Sequence, residues 1–428
     1  MQSLDSWLEY IAGQHWQEID MGLERMRTMV ARMALQRPAA KIITVAGTNG
    51  KGSTCVACEE LLQAQGLSTG VTLSPHVVAF NERIRINGVD ADDDLIIAAF
   101  TAVEAARTDA AAGLVPLTYF EFSALAALWC FKRCAVEVAV LEIGLGGRLD
   151  AFNAIDADVA VITSIGIDHE AFLGTDRDAI GLEKAGILRA GQEVVLGSDM
   201  PASVMARCAQ LQLRPLLVDQ EFEIRAQDAQ HWSARQRDGG APTLASVPYG
   251  QCAPHNLLLA YLAASRVADM ALTEVGEVAQ RVRLPGRMQS VDWLQRRWLL
   301  DVAHNPAGVE FLVQQLRARD LNPAAIVCGM LSDKQHNAVF ERLRHEYQVP
   351  WFCMPTEGER GMTAREVADA LQGETKRPHV TACEDWQTLT EQVNSATQPG
   401  NVILVLGSFN LIEQFHLIDK SQHFQPTR

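Results

Sequence analysis

A glycine-rich turn near the start of the chain limits the possible folds more than any other feature. It occupies residues 45–54 (VAGTNGKGST), after an apolar run at 42–45 and before a helical pattern that continues to 65. A strand, a glycine-rich turn and a helix in this order point backbone N–H groups and a helix N-terminus at one place, which suits a phosphate group. The stretch therefore predicts an α/β fold with a phosphate-binding loop, and a tight turn without a ligand is the alternative.

The side chains of this turn also suit a nucleotide. Lys51 would bring a cation to the terminal phosphates, and the Ser53 hydroxyl could reach a phosphate-bound Mg²⁺. The pattern differs from the common P-loop, because Gly52 separates the lysine from the hydroxyl residue and no glycine stands five positions before Gly50. The order of strand, lysine, hydroxyl and helix still favours phosphate binding over an empty turn.

The net charge and the scattered distribution of the cysteines limit the classes of protein to which this chain could belong. The 428 residues are enough for roughly two or three domains, and the net charge of −15 argues against a nucleic-acid or anionic-membrane surface. An anionic substrate would then need a local basic pocket. No signal peptide is visible, no apolar run approaches the roughly 20 residues of a membrane helix, and the nine cysteines are scattered. We therefore expect a cytoplasmic monomer that binds small molecules, without nucleic-acid or membrane partners.

Two apolar, β-branched runs end in polar clusters, as strands buried in a parallel sheet often do. They cover residues 136–143 and 159–165, and Glu142 and His169 lie at or just after their carboxyl ends. In open α/β sheets the ligand binds at this edge, where the glycine-rich turn also lies. A histidine that makes an ordinary hydrogen bond and a glutamate that caps a helix are the alternatives. The shared position of the two side chains favours a role in binding metal or phosphate.

A second α/β domain is expected after a break at Pro285-Gly286. Beyond it, strand patterns at 298–302, 325–330, 349–354 and 402–406 alternate with helical patterns at 306–319, 334–346, 363–371 and 385–396. This alternation predicts a smaller, doubly wound domain. We therefore expect one domain at 1–285 and another at 286–428.

Together the motifs resemble those of the bifunctional dihydrofolate synthase/folylpolyglutamate synthases of bacteria, a family in the Mur ligase superfamily. The resemblance runs nearly from end to end, and the order and spacing of the segments carry it. The segments are GTNGKGS at 47–53, SPH at 74–76, LTYFE at 117–121, LEIGLGGRLDA at 141–151, DH at 168–169, EKAGI at 183–187, LPGR at 284–287, DVAHNP at 301–306 and LGSF at 406–409. The resemblance implies a Mur-ligase-like P-loop domain that binds ATP and pterin, followed by a Rossmann-like glutamate ligase domain.

The resemblance also implies a reaction. ATP would phosphorylate a carboxylate, and the amine of L-glutamate would displace phosphate to form an amide. The acceptors would be dihydropteroate, which gives dihydrofolate, and the glutamate tail of reduced folates, which gives folylpolyglutamates. A free carboxylate is a poor electrophile, so the γ-phosphoryl group must be held in line with it while lysine and metal neutralise the charge.

The family's motifs assign roles to the matching positions of this sequence. The catalytic positions are Lys51, Glu142, His169, Lys184 and His304. The ATP-binding positions are Asn49, Gly50, Lys51, Gly52, Ser53, Asn256, Arg287 and Asp301. The pterin positions are Ile19, Asp20, Met21, Gly22, Thr118, Tyr119, Phe120, Glu121, Leu149, Asp150 and Ala151. The positions near the incoming glutamate are His304 and Ser408.

The same resemblance implies metal ions and a modified lysine. Ser74, Glu142 and His169 correspond to ligands of Mg²⁺, for which two ions are expected. A histidine ligand is unusual for Mg²⁺, which prefers oxygen. Lys184 matches a lysine that the family carries as a carbamate, which turns a cation into an anion. Phe152 departs from the pattern, because relatives commonly have a small hydroxyl residue there, and this alters the wall of the expected pterin pocket.

Two other functions share part of the pattern. A Mur-type ligase that adds an amino acid to a cell-wall precursor would have the phosphate loop and the 301–306 segment. It would normally carry an extra N-terminal domain, whereas about 40 residues precede the loop here. A nucleotide-binding protein with an inactive site is the non-enzymatic alternative. Five residues present together argue against it, and they are Lys51, Glu142, His169, Lys184 and Arg287.

Overall fold

The structure is a computed structural model that describes residues 2–15, 17, 20–237, 243–372 and 379–421. The chain forms two compact units. The first comprises Met1–Arg225, Ser233–Val247 and Pro254–Val282, and the second comprises Ala226–Trp232, Pro248–Ala253 and Arg283–Arg428. The main segment of the second unit thus begins at Arg283, whereas the sequence predicts a boundary after residue 285. The assignment of functions to two domains stays a prediction.

A mostly parallel sheet lies at the centre of the first unit. Among the described residues its strands are β1 (Lys41–Ala46), β2 (Thr69–Thr72), β3 (Ile84–Ile86), β4 (Val89–Asp90), β5 (Val138–Glu142), β6 (Val159–Ile162), β7 (Glu193–Leu196) and β8 (Leu216–Leu217). They lie in the order β4-β3-β2-β5-β1-β6-β7-β8, with β3 antiparallel to both of its neighbours. Strands β5 and β6 are buried along their whole length, and β1 along all but its first residue, which explains their apolar sequences.

Helices follow most of these strands. They are α1 (Leu4–Ala12), α2 (Glu24–Arg32), α3 (Lys51–Ala64), α4 (Asp93–Arg107), α5 (Tyr119–Arg133), α6 (Glu170–Leu173), α7 (Arg177–Lys184), α8 (Ala202–Gln210), α9 (Val218–Glu221), α10 (Pro254–Ala264) and α11 (Glu274–Val278). Thr118 and Glu121 form a reciprocal capping box, which fixes the start of α5. Within the part of the chain that the structure describes, no helix is long and apolar enough to span a membrane.

A small antiparallel sheet precedes α10. It consists of β9 (Phe222–Ala226), β10 (His231–Gln236) and β11 (Thr243–Pro248), in the order β11-β10-β9. Trp232 and Ala234 on the central strand are buried, whereas most residues of β11 are exposed.

The second unit has its own sheet. The strands are β12 (Gln289–Trp293), β13 (Arg296–Asp301), β14 (Pro323–Cys328), β15 (Trp351–Cys353), β16 (Val380–Ala382) and β17 (Val402–Leu406), and the helices are α12 (Pro306–Ala318), α13 (His336–Glu346), α14 (Ala364–Gln372), α15 (Trp386–Ala396) and α16 (Phe409–Ser421). The order is β12-β13-β17-β14-β15-β16, with β12 antiparallel. The predicted α/β class is confirmed. Strands β12 and β16 were not predicted, because one is a half-exposed edge strand with polar residues and the other has only three residues.

Candidate active site

The glycine-rich loop connects β1 to α3, as predicted. Gly47 has φ +153° and Gly50 has φ +85°, a region that favours glycine. A Cβ on Gly47 would overlap the Thr163 hydroxyl, and a Cβ on Gly50 would lie 2.9 Å from Oδ1 of Asn256. Neighbouring side chains therefore hold the loop so closely that both glycines are required.

The segment after β6 holds the loop in place. The backbone N–H of Thr48 donates to the Ser164 carbonyl at 2.8 Å, and the N–H of Asn49 donates to the Ser164 hydroxyl at 3.0 Å. The Thr163 hydroxyl donates to the Asn49 carbonyl at 2.6 Å. These bonds fix the backbone path, so the loop is preorganised for a ligand. The sequence pattern includes both hydroxyl residues in the predicted strand at 159–165, whereas they directly follow the observed β6, and their role in holding the loop was not predicted.

Lys51 is folded over its own loop. Its Nζ donates to the Gly47 carbonyl at 3.0 Å and lies 3.4 Å from the Thr48 carbonyl. Gly52 and Ser53 are buried in the first turn of α3. The structure thus brings together the predicted ATP-binding positions of the first unit: Asn49, Gly50, Lys51, Gly52, Ser53 and Asn256.

The expected metal ligands lie at the carboxyl edge of the sheet. Val45 is paired with Glu142, so the end of β5 reaches the start of the loop. The Ser74 N–H donates to Oε2 of the buried Glu142 at 2.7 Å, which orients the carboxylate. His169 is exposed, with φ +52°, and its N–H donates to Asp168. Within the described ranges there is no group of three or more His, Cys, Asp or Glu side chains that could hold a metal.

Lys184, at the end of α7, is buried beside the phosphate loop. Its Nζ donates to the Gly47 carbonyl at 3.0 Å. Burial, followed by the nearby charge of Lys51, lowers the pKa of Lys184 from 10.5 to about 7, although Asp168 and Asp150 act in the opposite direction. A large fraction of this side chain is therefore a neutral, nucleophilic amine near pH 7. From its sequence context alone, it reads as an ordinary helical lysine.

A cavity of about 800 Å³ lies next to this edge in the first unit. Its walls include these residues from the predicted pterin set: Asp20, Met21, Gly22, Thr118, Tyr119, Phe120, Glu121, Leu149, Asp150 and Ala151. The remaining member, Ile19, lies outside the described residues. Ser74 also lines the cavity, which therefore reaches the expected metal position. That these residues bind a pterin stays a prediction.

Buried carboxylates shape this cavity. Asp150 accepts hydrogen bonds from the N–H groups of Gly144, Leu145 and Phe152, each at 3.0 Å. Burial raises the pKa of Asp150 to about 6, and the three N–H groups oppose that shift. With a pKa of about 6 this carboxyl group is mostly ionised at pH 7, and both of its oxygens accept backbone hydrogen bonds that fix the cavity wall.

Arg25 links two parts of the cavity wall, Asp20 and Glu121, and this role was not predicted from the sequence. Its Nε donates to both carboxylate oxygens of Glu121, at 3.1 and 3.2 Å, and its Nη1 donates to Asp20 at 2.6 Å. His15 lies 3.3 Å from the same Asp20 carboxylate. This network fixes the 20–22 segment against the N-terminus of α5.

Arg83 is a second missed residue. Its Nε donates to Nδ1 of His76 at 2.7 Å, and its guanidinium lies 5.7 Å from the ring centre of Phe80 and 5.6 Å from that of Tyr119. Burial, followed by the charge of Arg83, lowers the pKa of His76 to about 4, so the ring is neutral. Arg83 and His76 both line the cavity. The alternating pattern at 81–88 predicts a half-buried strand or hairpin arm and does not reveal that the Arg83 guanidinium lines a cavity.

The predicted residues of the second unit lie at the carboxyl edge of its own sheet. The Asp301 carboxylate, at the end of β13, accepts from the N–H groups of Met288 and Ala303, each at 2.9 Å. Arg287 lies 5.1 Å from the ring centre of Phe409, and Nδ1 of His304 donates to the Val302 carbonyl at 2.8 Å. Ser408 is buried just after β17, whose Leu406 is paired with Asp301. Their predicted contacts with ATP and glutamate stay predictions.

Two protein-family models match this chain. The Mur ligase middle domain matches residues 45–253, and the Mur ligase glutamate ligase domain matches residues 286–409. The dihydrofolate synthase/folylpolyglutamate synthase of Escherichia coli (strain K12) is 38% identical over 417 residues, which cover 96% of this chain and 94% of that protein. The protein of the same name from Haemophilus influenzae is 36% identical, and 96% of each chain is covered.

Solved structures of dihydrofolate synthase/folylpolyglutamate synthases are also similar to this chain over nearly its whole length. E. coli FolC in complex with DHPP and ADP superimposes with a TM-score of 0.89 at 34% identity, covering 99% of each chain. The Yersinia pestis folylpolyglutamate synthase/dihydrofolate synthase with AMPPNP and a Mn ion has a TM-score of 0.87 at 36% identity, covering 99% of each chain. A further structure of such an enzyme, with Mn, AMPPNP and L-glutamate bound, has a TM-score of 0.85 at 35% identity and the same coverage.

Replacing Lys184 with methionine should stabilise the fold near neutral pH. The folded-state pKa of about 7 lies below the ordinary 10.5, so the unfolded chain binds more protons between these values and wild-type stability rises with pH there. Near pH 7 we expect the Lys184→Met protein to exceed wild type by a few kcal/mol, on the order of the shift at about 1.4 kcal/mol per pKa unit. The difference should shrink towards pH 10.

Urea unfolding in CO₂-free buffer, at about pH 7 and about pH 9.5, measures this difference. The Lys41→Met protein is the control, because Lys41 is exposed at the start of β1. An equal stability difference at both pH values would contradict the burial argument for Lys184.

Proposed function

Because this chain belongs to the dihydrofolate synthase/folylpolyglutamate synthase family of Mur ligases, we propose that it joins L-glutamate to dihydropteroate and to the glutamate tail of reduced folates. ATP phosphorylates the acceptor carboxylate, and the glutamate amine then displaces phosphate, so an amide, ADP and phosphate are formed. The observation that carries the proposal is the cavity of about 800 Å³, which is lined by the predicted pterin residues and by Ser74, beside the phosphate loop.

The loop is assigned to the phosphates of ATP. Its backbone is held by Thr163 and Ser164, so its N–H groups need no rearrangement to receive an anion. Lys51 needs only a side-chain rotation, because its Nζ rests on loop carbonyls rather than on a carboxylate. These residues would hold the γ-phosphoryl group and stabilise its charge during transfer.

The residues at the sheet edge fit a divalent cation of the Mg²⁺ type. Glu142 and Ser74 offer oxygen ligands, and the Ser74 N–H already orients the Glu142 carboxylate. Mg²⁺ is usually held by one or two carboxylates together with substrate phosphates, so a cluster of three acidic or histidine side chains is not required. Together with His169 these residues would hold the predicted two ions, and a bound ion supplies positive charge that neutralises the transferring phosphoryl group.

Lys184 is assigned as a carbamate. A neutral amine adds to CO₂ through its nitrogen lone pair and releases a proton, which leaves an anion on the former cation. The lowered pKa of Lys184 supports this, because the neutral amine is the reactive form. The charge of Lys51, which disfavours a second cation there, would stabilise the resulting anion.

The cavity is assigned to the acceptor. Asp150 and Asp20, which Arg25 holds, line the cavity and would bind the polar edges of a pterin, and Phe120 would supply an aromatic wall. Phe152 packs edge-on against Phe120, with ring centres 5.8 Å apart, and so supports that wall. Arg83 is a half-buried cation in the lining of the cavity, and we assign it to the acceptor carboxylate.

The second unit is assigned to nucleotide and glutamate. Arg287 and Asp301 would contact ATP, with an arginine suited to phosphate and an aspartate to ribose hydroxyls. His304 and Ser408 would bind the incoming glutamate. A cytoplasmic location and a monomeric state are also retained in the proposal, and nine free cysteines support a reducing compartment.

An assay of acceptors side by side tests the reaction. Purified protein with ATP, Mg²⁺ and L-glutamate should release ADP with dihydropteroate and with tetrahydrofolate, and not with a UDP-muramoyl acceptor. Mass spectrometry of the products should show the mass of one added glutamate. Turnover of the muramoyl acceptor alone would replace the folate function with the cell-wall alternative.

Removing the Lys184 amine should abolish the proposed carbamate. The Lys184→Ala protein should stay folded and lose about 100-fold or more in kcat, the size of effect expected for a group that stabilises transition-state charge. Wild-type activity should fall in CO₂-free buffer and return when bicarbonate is added, whereas the variant should not respond. Full activity of Lys184→Ala would rule the carbamate out.

Arg83→Gln should weaken binding of every acceptor. Losing a charge-assisted hydrogen bond to the carboxylate should raise KM for dihydropteroate and tetrahydrofolate by about tenfold. The KM for ATP should stay unchanged. Arg133→Gln is the matched control, since Arg133 is exposed in the last turn of α5. A change in the KM for ATP alone would place Arg83 at the nucleotide instead.

A further inference from the structure

A second cavity, of about 670 Å³, lies in the first unit beside the first one. Gly22 and Leu149 line both cavities, so the two share part of a wall. Arginines dominate the charged lining of the second cavity, and they are Arg27, Arg148, Arg189 and Arg207. In a protein with a net charge of −15, the overall field repels anions, so a local group of arginines is what an anionic ligand would need.

Two of these arginines already have structural partners. Arg189 donates to the Asp156 carboxylate at 2.8 Å and to Oδ1 of Asn153 at 2.9 Å. Arg148 donates to the Glu183 carboxylate at 2.8 Å. Their charges are therefore largely balanced, and they build the wall of the cavity.

Arg27 and Arg207, the other two arginines of this cavity, have no carboxylate partner among the described residues. Nη1 of Arg207 donates to the neutral amide of Gln210 at 2.7 Å. The side chain of Arg27 is exposed and makes no hydrogen bond or ion pair with any described residue. Glu24 is the one acidic residue in the described lining of the cavity. Two guanidinium groups thus face a space that contains a single carboxylate.

The proposed reaction supplies an anion of matching chemistry. Its two acceptors differ in length, yet both must present the reacting carboxylate to the same phosphate loop. Each γ-linked glutamate already present adds one α-carboxylate and lengthens the acceptor. A longer acceptor therefore has to extend out of the first cavity, and the second cavity adjoins the first at Gly22 and Leu149.

We propose that the second cavity binds the α-carboxylates of the γ-glutamyl tail of reduced folates that have already been extended, through Arg27 and Arg207. This inference rests on the proposed function. An arginine fork binds a carboxylate through two parallel hydrogen bonds. Because both arginines are at least partly exposed, each contact is weak, and the cavity accepts tails of different length without holding them too tightly for release.

Kinetics with acceptors of different length test this site. The variants are Arg27→Gln, Arg207→Gln and the double variant, with Arg133→Gln as an exposed-arginine control. The KM for tetrahydrofolate triglutamate should rise roughly threefold in each single variant and about tenfold in the double variant. The KM for dihydropteroate, which has no tail carboxylate, and kcat for all acceptors should stay at wild-type values.

Two further measurements distinguish a loss of charge from a structural effect of the substitutions: the salt dependence of KM and the kinetics of a conservative double variant. Raising the ionic strength should increase the KM for the triglutamate more in wild type than in the double glutamine variant, because screening also weakens the charged contacts of Arg27 and Arg207 that the variant lacks. The Arg27→Lys/Arg207→Lys double variant should retain most of the wild-type affinity and salt dependence.

The outcomes distinguish this inference from the function on which it rests. A wild-type protein that ligates glutamate to no acceptor would overturn both. A wild-type protein that uses all acceptors, with a double variant whose KM is unchanged for the triglutamate, would overturn the tail site alone. The same holds if the double variant raises KM equally for dihydropteroate and triglutamate.

Discussion

The parallel pairing of β1 between β5 and β6 is the constraint on which the rest of the site depends. Val45 is paired with Glu142 and Ala46 with Ile162, so three strands end at one level. All three strands are almost wholly buried, and their pairing keeps their carboxyl ends within one residue of each other. Three features therefore lie at one edge of the sheet: the glycine-rich loop, the Glu142 carboxylate and the segment that holds the loop. Strand pairing brings them together, and no local sequence motif is needed.

The electrostatics of the loop follow from this geometry. The Gly47 carbonyl accepts hydrogen bonds from the amines of both Lys51 and Lys184. Burial of Lys184, followed by the nearby charge of Lys51, lowers the pKa of Lys184 to about 7. The same position that makes this lysine costly as a cation makes it reactive as an amine. Its reactivity is thus a property of the fold and not of its helix.

The parts of the fold and of the site that could be predicted are those with a short-range sequence pattern. The strand, turn and helix around residues 42–65 and the polar ends of buried strands are short-range signals, and the structure contains both. The pterin positions came from a resemblance, and the described ones line one cavity. Lys184, Arg25 and Arg83 act through partners distant in sequence, such as Gly47 and Glu121, and periodicity carries no information about such contacts. The full burial of Lys184 and the half-buried positions of the two arginines are therefore properties that the sequence pattern could not supply.

The positions of the positively charged residues could not be predicted from the sequence either. Composition alone implies that a protein with a net charge of −15 needs a local basic pocket for an anionic substrate, but it cannot say where. In the fold, Arg83 comes from the turn before β3, while Arg27 and Arg207 come from α2 and α8, at nearly opposite ends of the first 210 residues. The sheet brings these distant arginines to two cavities with a shared wall. In the proposed reaction, these arginines would bind one carboxylate at the reacting end of an acceptor and further carboxylates along its tail.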